Sequence, residues 1–150
     1  MKTKQKNTHK DICSCNLCKR GELSDFGNNL LYPYDTVYEL RNDDNTGLSV
    51  DICVDCLKEI NNFVKSKMTK LPTLFTTKIY SAKKDNCSCN LCKRGVLNSK
   101  EISLDYPYDI VIEFRSPNGI IISFCEDCLK VLQKISMDYE AQTKGKRFDL

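Results

Sequence analysis

The chain has 150 residues, with 23 Lys and Arg against 20 Asp and Glu, one histidine and ten cysteines. It has no run of 18 or more apolar residues, which excludes a membrane-spanning helix, and residues 1–10 are polar and basic without the apolar segment of a signal peptide. The expectation is a chain kept in a reducing cytoplasm, where paired cysteines read as thiolate metal ligands rather than disulfides. The abundance of Lys and Asn fits a low-GC bacterium or its phage, and the cytoplasm is then that of a bacterial host cell.

Residues 1–12 form a basic arm, four Lys against one Asp, expected to be flexible. Residues 13–68 read as a first module. It opens on Cys13-Ser14-Cys15-Asn16-Leu17-Cys18-Lys19-Arg20-Gly21 and continues to Tyr32-Pro33-Tyr34-Asp35. Alternating runs at 36–40 and 48–52, separated by a polar stretch, predict a β-hairpin. Cys53-Val54-Asp55-Cys56 follows. Leu57, Ile60, Val64 and Met68, with Phe63 beside them, then fall at helical spacing.

Residues 69–86 are a basic connector. Its apolar part around Leu74, Phe75, Ile79 and Tyr80 predicts either a strand added to one hairpin or a dimerisation element, so a homodimer is one expected partner state. Residues 87–140 repeat the first module. The nine-residue cysteine phrase returns unchanged at 87–95 and Tyr-Pro-Tyr-Asp at 106–109, both at an offset of 74. Two runs at 110–114 and 120–124 flank Ser116-Pro117-Asn118-Gly119, a strong hairpin signal. Cys125-Glu126-Asp127-Cys128 opens a second helical pattern of Leu129, Leu132, Ile135 and Tyr139. The second copy is two residues shorter between Arg115 and Cys125, where a turn absorbs the loss. Residues 141–150 form a tail without periodicity, expected to fray.

Each copy thus carries two Cys-x2-Cys pairs, and each pair of pairs supplies four thiolates: Cys15, Cys18, Cys53 and Cys56, then Cys89, Cys92, Cys125 and Cys128. Two-residue spacing lets both sulfurs of a pair reach one ion in the tetrahedral arrangement that zinc favours. Two Zn2+ ions per chain are expected, with iron as the other metal that takes four cysteines. Modules of about 50 residues bury too little surface for a stable core, and metal binding makes up the difference. Cys13 and Cys87 are left over, as packed small residues, alternative ligands or free thiols.

The fold expected is α+β: two tandem modules, each a cysteine knuckle, a hairpin, a second knuckle and a helix. This is the order of treble-clef zinc fingers. The phrase Asp51-Ile52-Cys53-Val54-Asp55-Cys56-Leu57-Lys58-Glu59-Ile60, together with Cys15-Asn16-Leu17-Cys18-Lys19, resembles the zinc-binding domain of the ClpX unfoldase. That resemblance implies zinc on the four matching cysteines, recruitment of adaptors or substrates, and self-association. It covers about twenty positions per module, and the stretch between the pairs is longer here, at 34 and 32 residues.

Function then divides into three classes. An enzyme is not expected, because four cysteines close a zinc site and the only histidine, His9, lies in the arm; Mg2+ on Asp35, Asp109, Glu39 or Glu113 is the weaker route to catalysis. A protein-interaction adaptor or inhibitor of a host protein is favoured by the first module, where residues 13–62 hold four basic and nine acidic residues. Nucleic-acid binding through the arm and connector is the alternative, since the Lys excess lies there. Candidate partner-binding residues are Tyr32, Tyr34, Tyr106 and Tyr108, which also fit a structural role under the hairpin, and Lys19, Arg20, Lys93 and Arg94 on the knuckles.

Overall fold

A computed structural model describes residues 2–8, 13–18, 34–41, 49–85, 87–92 and 108–147. Within these the architecture is α+β. Strands β1 (Lys2–Asn7), β2 (Thr36–Arg41) and β3 (Val50–Cys53) form one antiparallel sheet in that order. Helix α1 (Val54–Lys65) follows it. Strands β4 (Thr76–Ser81), β5 (Ile110–Arg115) and β6 (Ile121–Cys125) form the second sheet, with the short helix α2 (Ala82–Asp85) after β4 and helix α3 (Glu126–Arg147) after β6.

The predicted hairpins are β2–β3 and β5–β6. In the second, the Ser116 N–H donates to the Ile120 carbonyl at 2.8 Å and the Gly119 N–H to the Ser116 carbonyl at 2.9 Å. Gly119 sits at φ 86°, a conformation an L side chain resists, so the glycine of Asn-Gly is required here by backbone sterics.

Two expectations are corrected, and the connector takes one of its two expected forms, a strand added to a hairpin. Residues 2–7 are not a flexible arm but the edge strand β1, paired with β2 from Lys2↔Arg41 to Asn7↔Thr36. The connector strand is β4, which pairs with β5 from Thr76↔Arg115 to Ser81↔Ile110. These two registers differ by 74 at every position, so the duplicated unit begins well before its first cysteine. Thr3-Lys4 and Thr77-Lys78 carry the same offset and are the signal for it. The tail does not fray at 141, since α3 continues to Arg147.

The two helices pack against each other as well as on their own hairpins. Leu57, Ile60 and Phe63 of α1 and Leu129 and Leu132 of α3 belong to one buried cluster with Val37, Leu40, Ile52, Val111, Ile112, Phe114 and Phe124. Phe114 stacks tilted between Phe75 and Phe124, with centroids 5.1 and 5.5 Å away. Neither module can enclose a core alone at this size, and the shared helix seam is how the chain enlarges it. The connector reinforces the arrangement: the Glu59 carboxylate of α1 accepts from the N–H and hydroxyl of Thr73, at 3.0 and 2.5 Å, and from the Leu74 N–H at 3.0 Å.

Helix α1 ends at Lys65, one turn before the periodicity suggests. The Met68 N–H reaches the Phe63 carbonyl at 2.8 Å and the Lys67 N–H the Val64 carbonyl at 3.1 Å, a Schellman closure. Lys67 at φ 55° takes the left-handed position that glycine prefers. Lys67→Gly is therefore expected to stabilise the fold by about 0.5–1 kcal/mol, read as a rise of about 1–4 °C in thermal midpoint; no rise would mean that the Lys stem contributes packing of equal size.

Candidate metal centres

Each centre is assembled from three local pieces. A knuckle turn at residues 15–18 brings the first two sulfurs together, and the Cys18 N–H donates to Cys15 Sγ at 3.5 Å. The end of β3 supplies Cys53, which is also the N-cap of α1, its sulfur accepting from the Cys56 N–H at 3.5 Å. The first helical turn supplies Cys56. Thiolates at a helix start meet free N–H groups and the positive end of the helix dipole. The second module repeats this with Cys89 and Cys92, Cys125 at the end of β6, and Cys128 in the first turn of α3.

The sulfur geometry fits zinc. In each set of four, all Sγ atoms lie within 4.8 Å of one another. Cys15 and Cys56 are 3.7 Å apart and Cys18 and Cys53 3.8 Å. The matching edges of the second set are 3.6 Å for Cys89 and Cys128 and 3.7 Å for Cys92 and Cys125. A tetrahedron with zinc–sulfur bonds of 2.3 Å has edges of about 3.8 Å. All ten cysteines are free of disulfides.

Cys15, Cys53, Cys56, Cys89 and Cys125 are fully buried. With the sulfurs this close, Cys53, Cys56 and Cys128 are pushed far above the thiol range, first by their sulfur neighbours and then by burial. Cys89 rises to about 12 for the same reasons. Cys15, raised by Cys18 but lowered more by Cys53 and Cys56, and Cys125, lowered by Cys128 and Cys89, go the other way. Four thiolates in so small a volume require a cation between them, and a thiophilic dication supplies it.

Two supports of the knuckle carry no metal ligand. The Tyr34 hydroxyl accepts from the Cys15 N–H at 2.9 Å, and the Tyr108 hydroxyl from the Cys89 N–H at 2.9 Å. Both rings are 5% exposed. Burial raises both phenols, Tyr108 to about 12, so each stays neutral. The second tyrosine of Tyr-Pro-Tyr thus has the structural role, its surface turned inward and not offered to a partner. Replacing Tyr34 or Tyr108 by Phe is expected to weaken zinc binding in that module by roughly tenfold, the lower end for outer-shell groups. Competition with a chromophoric chelator measures this, and unchanged affinity in both variants would remove the hydroxyl from the site's support.

The other support is Asn16, with its counterpart Asn90. The Asn16 N–H donates to the Asp51 carbonyl and the Asp51 N–H to Asn16 Oδ1, both at 2.7 Å. Asn90 does the same to Ser123 at 2.8 and 2.7 Å. One asparagine thereby pairs with the outer edge of β3 or β6 and fixes the knuckle to the hairpin.

Cys13 and Cys87 stand outside both sulfur sets. Cys13 is buried in the core cluster, while Cys87 is half-buried, its thiol directed at the Asp85 carbonyl at 3.5 Å. Among the described residues the carboxylates form no group able to hold a metal. Asp35 accepts from the Tyr139 hydroxyl at 2.9 Å, Glu39 pairs with Lys6 and Arg41, and Glu113 with Arg115. Tyr32, Tyr106, Lys19, Arg20, Lys93, Arg94 and His9 lie outside the described residues. No helix among the described residues is long and apolar enough to cross a membrane.

Fold and centres together define the class: an α+β protein of two tandem small zinc-binding modules, with a four-cysteine site for one zinc ion in each. Comparison with protein-family models, with curated proteins and with solved structures gives no match. The resemblance to the ClpX zinc-binding domain accordingly rests on the cysteine phrases alone.

Proposed function

We propose that the chain is a non-enzymatic, zinc-dependent protein-interaction module, an adaptor or inhibitor of a host protein acting in the cytoplasm of a bacterial cell, encoded there or by a phage. The observation that carries this reading is the closure of both centres. Four cysteines complete a tetrahedral shell and leave no position for a substrate or an activated water. Zinc bound there joins knuckle, hairpin and helix into a rigid unit and frees the remaining surface for recognition.

A protein partner is favoured over nucleic acid by the way the basic arm is used. Lys6 lies 2.5 Å from Glu39 and 4.0 Å from Asp51, so part of the arm's charge faces the module's own carboxylates. Counted with β1, residues 2–62 hold eight basic and ten acidic residues, and residues 76–135 hold nine and seven. Each filled four-thiolate centre adds about −2. Phosphate backbones are held by concentrated positive charge, and neither module carries much. The ClpX-like phrases point the same way, toward recruitment of a protein.

The test is capture of partners from a reducing host lysate with the tagged, zinc-loaded chain, with and without nuclease. A stoichiometric protein that survives nuclease and is lost on chelation is the expected result. Loss of all bound material after nuclease would overturn it in favour of nucleic acid held by the arm and connector.

A further inference from the structure

The two modules begin with equivalent edge strands that are guarded differently. Strand β1 reads Lys-Thr-Lys-Gln-Lys-Asn and β4 reads Thr-Thr-Lys-Ile-Tyr-Ser at the same register. Lysines along an edge guard it against pairing with another chain. Strand β1 has three, whereas β4 has one, and β4 places Ile79 where β1 has Gln5.

Which backbone groups β4 leaves unpaired follows from its ladder. The Ala82 N–H donates to the Asp109 carbonyl at 2.9 Å, continuing the β4–β5 register. In an antiparallel pair alternate residues bond inward, so Tyr80, Lys78 and Thr76 also face β5, and Thr77, Ile79 and Ser81 face outward. The Ser81 N–H is already held by the Asp85 carboxylate at 2.9 Å. Among the described residues no other backbone pairs with the N–H of Thr77 or Ile79.

The side chains end abruptly at the same edge. Phe124, Ile112 and Ile79 are successive partners across β6, β5 and β4, forming one apolar row. Phe124 and Ile112 are fully buried and Ile79 is 48% exposed. The matching row of the first sheet, Ile52, Tyr38 and Gln5, ends on a polar residue. Beside Ile79, on the opposite face, Lys78 Nζ lies 5.0 Å over the Tyr80 ring.

We infer that β4 is a homodimerisation edge, pairing antiparallel with β4 of a second copy about a dyad through Ile79. The register follows from elimination. Outward-facing residues must oppose one another. Thr77 opposite Ile79 would put Lys78 against Lys78, and like charges directly opposite destabilise. Ile79 opposite Ser81 would need the N–H that Asp85 already holds. Ile79 opposite Ile79 avoids the like charges and keeps its central pair clear of the held N–H, which falls only at its two ends, where Ser81 lies opposite Thr77. The apolar row runs on into its copy, and each Lys78 faces the partner's Tyr80, a cation–π pair. The result is one six-stranded sheet in the order β6-β5-β4-β4-β5-β6, with β1 outside it.

Size-exclusion chromatography with light scattering on the zinc-loaded full chain tests this, over roughly 1–500 µM because so small an interface dimerises weakly. The mass should rise with concentration from 17.2 kDa toward twice that value. Ile79→Lys restores the guarding charge and Thr77→Pro removes one outward N–H without touching the β5 ladder. Each should weaken the dimer tenfold or more while both zinc ions stay bound, and Gln5→Lys should change nothing. A photo-cross-linking residue at position 79 should give a covalent dimer that the same residue at position 5 does not. A chain monomeric throughout the range overturns the inference and leaves the edge to another protein's strand. A dimer indifferent to both β4 variants also overturns it, because the interface then lies elsewhere.

Discussion

Cys56→Ser and Cys128→Ser should each reduce bound zinc from two ions per chain to one, unfold the module concerned and, through the shared helix seam, destabilise the other. Both sulfurs are buried within their centres and belong to the first turn of the helix that follows, so each variant removes a ligand and loosens a helix start together. Zinc held by such sites contributes on the order of 10–16 kcal/mol of apparent binding free energy, most of it expressed as folding. A core this small cannot replace that. Metal content by mass spectrometry and helicity by circular dichroism read the effect, and chelation of the native chain should reproduce it in both modules. Acid should act in the same direction, since protons compete for thiolates that must be ionised to bind. Cys13→Ser and Cys87→Ser, outside both sets, should keep two ions. Two ions retained in Cys56→Ser would discard the ligand assignment.

Leu132→Ala should destabilise both modules at once. Leu132 is fully buried on α3, in the cluster that also takes in Leu57, Ile60 and Phe63 of α1. Truncation of a buried leucine costs about 2–5 kcal/mol through lost transfer energy and the cavity left behind. Because α1 and α3 pack directly on each other, the loss should not stay within the second module. Amide hydrogen exchange should quicken along α1 as well as α3, and zinc should leave both centres faster. Unchanged protection of α1 would show the modules to be energetically independent despite their contact. The same coupling makes a single unfolding transition the expected behaviour of the native chain.

The parts of this protein legible in its sequence are those set by short-range rules. Two-residue cysteine spacing is a property of one turn, and the four-sulfur sets follow once the repeat is recognised. Asn-Gly between β-rich runs fixes the second hairpin, and apolar residues three and four apart mark both helices. Less legible was anything that depends on what lies across the fold. Strand β1, four of whose six residues are Lys or Asn, carries no strand pattern of its own and forms because the free edge of β2 is there to pair with it. Tyr34 and Tyr108 were visible as a repeated phrase, but only the packing shows that their hydroxyls hold the knuckle amides.

The sequence by itself therefore determined the ligand sets, the duplication and the order of knuckle, hairpin and helix, because each is encoded within a few bonds along the chain. Tertiary structure alone decided that β1 completes the first sheet, which hairpin the connector strand β4 joins, that the asparagines of the knuckles pair with β3 and β6, and that the two helices share one seam. Those outcomes arise where two small modules, each short of apolar surface, find their remaining partners in groups far away along the chain.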